Sequence, residues 1–320
     1  MGLPDSVPLA VPVLFAFFGL MVVLEAARDA SSPFPSFLFD LYLFEAAAFG
    51  AGVLMLLRAR HHEEGRPWFA WGLGTLLWVA GLVVTDFGTS PGAEISSEGC
   101  VLLWYPLALI TVASLTKSRL RRFNAKRWER WLDGFALVLA AATPLVAALQ
   151  IGLGKVRTNA PLFEVSAVLH PAFDLLVLVP ILGMIAIAAW RIDRVWYLIS
   201  LGVVLWVVAD TLSYANFVYP GLHAGFYYFL WPAGLLLIAY AAWLPRADAP
   251  VVDAEQGWRV LLIPVACQLF AIGTQLWALI GTLGDSERIM TIVLLAVVIA
   301  QICLRYLRPP AAVNPAAPEI

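Results

Sequence analysis

The chain is short of charge. Asp, Glu, Lys and Arg make up only 13% of its 320 residues, against about a quarter in soluble domains. That deficit, with 62% hydrophobic residues and a mean hydropathy of +0.85, excludes an ordinary water-exposed surface. Histidine occurs four times and cysteine three times. Cys100, Cys267 and Cys303 fall in three different apolar stretches with no CxxC spacing, which argues against a zinc ribbon or dithiol redox site and for small apolar packing residues. No P-loop, dinucleotide fingerprint or nucleophile elbow is present. His61 and His62 adjoin Glu63 and Glu64 in "RARHHEEGRP", but four consecutive side chains on a short loop cannot converge on one metal. Only His170 and His223 lie where an axial haem ligand would be sought, both near span ends, which argues against haem. The sequence names no cofactor and no enzymatic activity. "MGLPDSVPLAVP" also lacks the positive region that opens a cleavable signal peptide.

What is present is a series of apolar blocks of about 20 residues, the length that crosses a hydrocarbon core of about 30 Å. They lack the period-two alternation of a membrane barrel. The fold class is therefore all-α, a polytopic helical membrane protein. Ten spans are expected, at 8–28, 37–58, 67–87, 100–116, 131–152, 165–191, 195–216, 225–244, 259–281 and 287–307.

With ten spans, both termini and the even-numbered loops share one side. That side carries 16 of the 20 basic residues, including Arg58, Arg66, the run from Lys117 to Arg130, Arg191 and Arg194. The asymmetry places both termini in the cytoplasm and the chain in the plasma membrane. The basic run "KSRLRRFNAKRWERW" is then the topology determinant, with attraction to anionic headgroups, rather than a nucleic-acid site. The expected partners are the lipid bilayer and a signalling or membrane-complex protein, with no nucleic acid.

An internal repeat is visible. "RPWFAWGLGTLLWVAGLVV" from Arg66 and "RVWYLISLGVVLWVVADTL" from Arg194 align without gaps. The identities include Trp68/Trp196, Gly74/Gly202 and Trp78/Trp206. In the next span "LLWYPLALI" (from Leu102) resembles "FLWPAGLLL" (from Phe229). Two four-helix units in the same orientation are expected, related by an axis along the membrane normal. Residues 1–130 and 131–246 hold the units, 247–308 two further helices, and 309–320 a disordered cytoplasmic tail. Trp78 and Trp206 lie too deep for an interfacial belt and are expected to pack where the repeats meet.

Depth follows from 1.5 Å of rise per residue. Asp210 lies about 24 Å from the cytoplasmic end of its span, Asp174 about 25 Å and Asp40 at the same level. His170 is one turn from Asp174 on the same face, and Tyr214 shares the level. Intramembrane acids mark functional sites by default, so Asp174, Asp210, His170, Tyr214 and Asp40 form the candidate ligand-binding set. Two readings stand: polar contacts between the sixth and seventh spans, or an outward-facing ligand or ion pocket. The position equivalent to Asp210 in the first unit is Leu82, and Asp86 follows one turn further out.

"WYPLALITVASLTKSRLRRFNAKRWERWLDG", "HPAFDLLVLVPILGMIAIAAWRIDRVWYLISLGVVLWVVADTLSY" and "FLWPAGLLLIAYAAW" resemble the membrane-spanning N-terminal region of actinobacterial-type GGDEF/EAL signalling proteins. The resemblance runs from Asp40 to Trp243 and is marked by Tyr105–Leu107, Trp131–Gly134, Asp174 and Asp210. It implies a membrane sensory or scaffold module. Two extra helices stand where the family's cytoplasmic catalytic domains would begin, so cyclase or phosphodiesterase activity is not implied. The expected function is a non-enzymatic sensor-like or accessory membrane protein. The alternatives are a small-solute or ion transporter and a structural subunit of a membrane complex.

Overall fold

The computed structural model describes residues 8–26, 42–60, 65–88, 90–120, 162–187, 192–218 and 228–244, with four single positions between 292 and 299. The expected spans at 131–152 and 259–281, most of the last, and Asp40 lie outside the described residues.

Seven helices are described, with no strand among the described residues: α1 Ala10–Ala26, α2 Phe44–Arg60, α3 Gly65–Phe87, α4 Pro91–Leu120, α5 Leu162–Ile187, α6 Arg194–Val218 and α7 Leu230–Trp243. Three stretches are long and apolar enough to cross a bilayer: Gly65–Phe87, Gly92–Lys117 and Arg194–Tyr214. Their outward side chains are also those of a lipid-facing surface. Phe69, Leu103, Ile110, Val204 and Val208 are all exposed large hydrophobics, where a water-facing helix would carry charge. The chain is a multi-pass helical membrane protein.

Local signals fix several helix ends. Ser90 Oγ accepts the Ala93 N–H at 3.2 Å and Pro91 takes the first helical position, the favoured opening pair of cap and proline. This starts α4 nine residues before the expected boundary at 100. The polar stretch "PGAEISSEG" does not read as a span, yet it continues the same helix. Asp193 Oδ1 accepts the Trp196 N–H at 3.0 Å and caps α6.

The helices pack as a closed ring in chain order. α2 lies against α3, α3 against α4, α4 against α5, α5 against α6, α6 against α7, and α7 returns to α2. α1 stands outside, against α2 and α7, with Phe15 edge-on to Tyr240 and Phe18 edge-on to Phe229. Closure between α7 and α2 includes a hydrogen bond from Trp243 Nε1 to the Leu54 carbonyl at 3.2 Å. Arg58 also lies over the Trp243 ring, 5.3 Å from its centroid, in cation–π range.

Small residues bring the ring's helices together, as is usual where lipid supplies no hydrophobic drive for association. A Cβ on Gly202 would lie 2.6 Å from the Gly234 carbonyl oxygen, and one on Gly234 would lie 2.5 Å from that of Gly202. In the aligned stretches Gly74 corresponds to Gly202 and Leu107 to Gly234, and Gly74 abuts Leu107 in the same way, 3.2 Å from a built Cβ. Between α3 and α4, Thr111 Oγ1 donates to the Pro67 carbonyl at 2.8 Å and Ser97 Oγ to the Gly81 carbonyl at 2.8 Å.

Aromatic rings fill the middle. Trp104 and Trp206 stack with centroids 4.3 Å apart and planes 5° from parallel. Trp78 meets Trp206 at 4.9 Å, so the two tryptophans that recur in the sequence touch across the ring. Trp71 closes edge-on against Trp104 at 6.5 Å. All four are at most 6% exposed, and rings of this size dominate the packing energy of a small core.

Candidate functional site

Successive antiparallel helices sort charge to the two ends of the ring. Arg58 and Arg60 end α2, Arg66 starts α3, Lys117 lies near the end of α4, and Arg194 starts α6. At the opposite end stand Glu45 in the first turn of α2, Asp86 in the last turn of α3 and Glu98 in the early part of α4. A cavity of about 370 Å³ lies toward this acidic end, within the lower range of small-molecule sites. Every helix of the ring contributes to it: Glu45 from α2, Asp86 from α3, Tyr105 from α4, His170 from α5, Asp210 from α6 and Trp231 from α7.

Asp210 is 6% exposed and anchors the inner wall. Tyr105 Oη donates to its Oδ2 at 3.2 Å, and Trp231 Nε1 donates to Oδ1 at 2.7 Å. The carboxylate is thus held by donors from helices on either side of the ring, each supplying a charge-assisted bond. Asp174 is 1% exposed and lies close to Asp210 and Tyr105. Among the described residues neither Asp174 oxygen has a hydrogen-bond partner. Two neighbouring buried carboxyls need a counter-charge or a proton between them.

His170 lines the cavity with its Nε2 unpartnered, its ring 6.0 Å from that of Tyr105. Tyr214 is half-buried on α6 and is not part of the cavity lining. Of the five candidate residues, Asp174, Asp210 and His170 come together around Tyr105, Tyr214 is not among the described lining residues, and Asp40 lies outside the described residues.

At the mouth, Glu45 and Asp86 face one another closely enough for their charges to interact. Glu45 is 8% exposed, and among the described residues its Oε1 and Glu98 Oε2 have no partner. Thr85 and Ser97 bond hydroxyl to hydroxyl across α3 and α4. The sequence offered no marker for Glu98, Ser97 or Trp231 as site residues. Glu98 and Ser97 precede the apolar block that defined the span, and Trp231 entered only as part of the stretch "FLWPAGLLL".

The aligned stretches contribute matching positions. Trp78, Leu82 and Thr85 line the cavity from α3, and the aligned Trp206, Asp210 and Ser213 line it from α6. Val101 in α4 and Tyr228, just before α7, form a further pair at matching places in the second pair of similar stretches. The same helical face thus points inward twice, with the carboxylate present only in the second stretch.

Among the described residues no three His, Cys, Asp or Glu side chains converge as metal ligands. In class the chain is a multi-pass helical membrane protein with an acidic, aromatic-walled cavity. Comparison with protein-family models, curated proteins and solved structures gives no match.

Proposed function

We propose that the chain is a non-enzymatic plasma-membrane protein of the sensor-like or accessory kind, binding a small solute in an outward-facing pocket and signalling through a protein partner. Both termini lie in the cytoplasm in this reading, and two four-helix units of like orientation surround the pocket. The observation that carries it is the position of the cavity, at the end of the ring opposite Arg58, Arg66, Lys117 and Arg194. Basic residues mark the cytoplasmic side, so the acidic end faces out. The resemblance to the membrane region of GGDEF/EAL signalling proteins supports a sensory role.

The test is labelling of intact cells by a membrane-impermeant maleimide, in a background with Cys100, Cys267 and Cys303 replaced by Ser. Thr85→Cys, at the cavity mouth, should react from outside, and Arg60→Cys only after permeabilisation. The reverse pattern would overturn the reading.

A transporter is the second reading, favoured by the matched lining positions, since repeat interfaces form the central sites of many carriers. Solute flux in proteoliposomes that is lost in Asp210→Asn would establish it over the sensor.

A further inference from the structure

We propose that the cavity binds a small organic cation, an amine or quaternary ammonium compound with an apolar body. This rests on the outward-facing pocket above and names its ligand class.

Glu45, Asp86, Glu98 and Asp210 all line the cavity, and no Lys or Arg is among its described lining residues. A site that collects four carboxyls with no Lys or Arg, and one histidine, favours positive charge over anions. The arrangement of these acids argues against a bare metal ion. They are spread over four helices and alternate with rings, and no set of three converges. A metal needs several oxygens or nitrogens at bonding distance together, whereas an ammonium group needs one or two carboxylates and tolerates apolar walls.

The walls are aromatic: Phe44, Trp78, Tyr105, Trp206, Tyr228 and Trp231. Ring faces attract ammonium groups, and aromatic cages are the usual receptors for alkylated ones. Tight mutual packing of Phe44 with Trp78 at 5.6 Å and with Trp231 at 6.2 Å keeps these rings in place.

An independent observation comes from Glu45. The residue is more than nine-tenths buried and lines the cavity, and its Oε1 has no partner among the described residues. A buried acceptor in that state costs free energy that a ligand's N–H or N⁺ would recover. Asp210 differs, because Tyr105 and Trp231 already occupy its oxygens. Glu45 is therefore the contact for the cationic head, and Asp210 a second carboxyl across the cavity. With Asp174 close to Asp210, a bound cation also offsets the repulsion within that pair.

The experiment uses the full chain in nanodiscs and follows its tryptophan fluorescence and unfolding temperature, since Trp78, Trp206 and Trp231 all line the cavity. The probes are phenethylamine and tetraethylammonium, the neutral phenethyl alcohol and the anionic 3-phenylpropionate. The cations should give a saturable fluorescence change and raise the unfolding temperature, and the other two should not. Glu45→Gln should weaken cation binding about tenfold or more, the loss of one charge-assisted contact. Asp86→Asn, at the exposed mouth, serves as a second variant if Glu45→Gln fails to fold. Equal binding of phenethyl alcohol and phenethylamine, or unchanged affinity in the correctly folded variant, would overturn the proposal. Failure of both cations to bind, with Thr85→Cys still labelled from outside, would overturn the ligand class and leave the pocket reading standing. Loss of that labelling would remove the pocket reading itself.

Discussion

Replacing Gly202 by Ala tests whether backbone contact between α6 and α7 sets the shape of the ring. The added Cβ would lie 2.6 Å from the Gly234 carbonyl oxygen and 2.7 Å from Ile238 Cγ1. The first of these falls about 0.8 Å short of ordinary contact, a gap that atomic repulsion does not allow. Neither neighbour can step aside: one is backbone, and Ile238 is fully buried. The helices must part, and their separation also strains the 2.7 Å bond between Trp231 and Asp210. Overpacking of this kind costs about 1–3 kcal/mol, while the exchange of Gly for Ala in a helix gains about 1 kcal/mol. Gly183→Ala on α5 is the control, because its added Cβ meets nothing within 4 Å among the described residues. It receives the same propensity gain, so the difference between the two variants isolates the packing cost. Gly202→Ala should therefore be less stable than Gly183→Ala by about 1–3 kcal/mol. Unfolding of purified protein in mixed micelles, followed by tryptophan fluorescence, measures this. Equal stability of the two variants would refute the close approach of α6 and α7.

Tyr105→Phe removes one of the two donors to Asp210 and should cost about 1–3 kcal/mol in the same unfolding assay; Trp231→Phe should behave similarly. Their double variant should depart from additivity because both bonds serve one carboxylate. Trp206→Ala empties the stack between Trp104 and Trp78, and its loss should approach about 3–5 kcal/mol. Thr111→Val deletes a bond from α4 to the Pro67 carbonyl, and a smaller cost of about 0.6 kcal/mol is expected, the mean for bonds between membrane helices.

The sequence revealed those features that repeat along it. Apolar block length pointed to an all-helical membrane chain and located the seven described helices, and the basic residues predicted an end-to-end sorting of charge that matches the described helix ends. The recurrence of Trp78 as Trp206 pointed to a contact, and the rings meet at 4.9 Å. Counting rise per residue set Asp174 level with Asp210, and the two are neighbours. What could not be read depends on the order in which helices meet. Tyr105 and Trp231 reach Asp210 from α4 and α7, and nothing in the spacing of a chain says that its helices close into a ring. Glu98 and Ser97 escaped notice because hydropathy defines a span by its apolar part. The polar first turns of α4 are set by the Ser90 cap instead.

Closure of the ring has a consequence for biogenesis. Helices enter the membrane in order as the chain is made, and the cavity draws a wall from each of six of them. Until α7 docks on α2, Asp210 lacks its Trp231 donor and the cavity is open on one side. The cavity is thus completed only after the seventh described helix has entered. A solute selective for the closed ring would act as a pharmacological chaperone, raising the yield of folded protein by mass action.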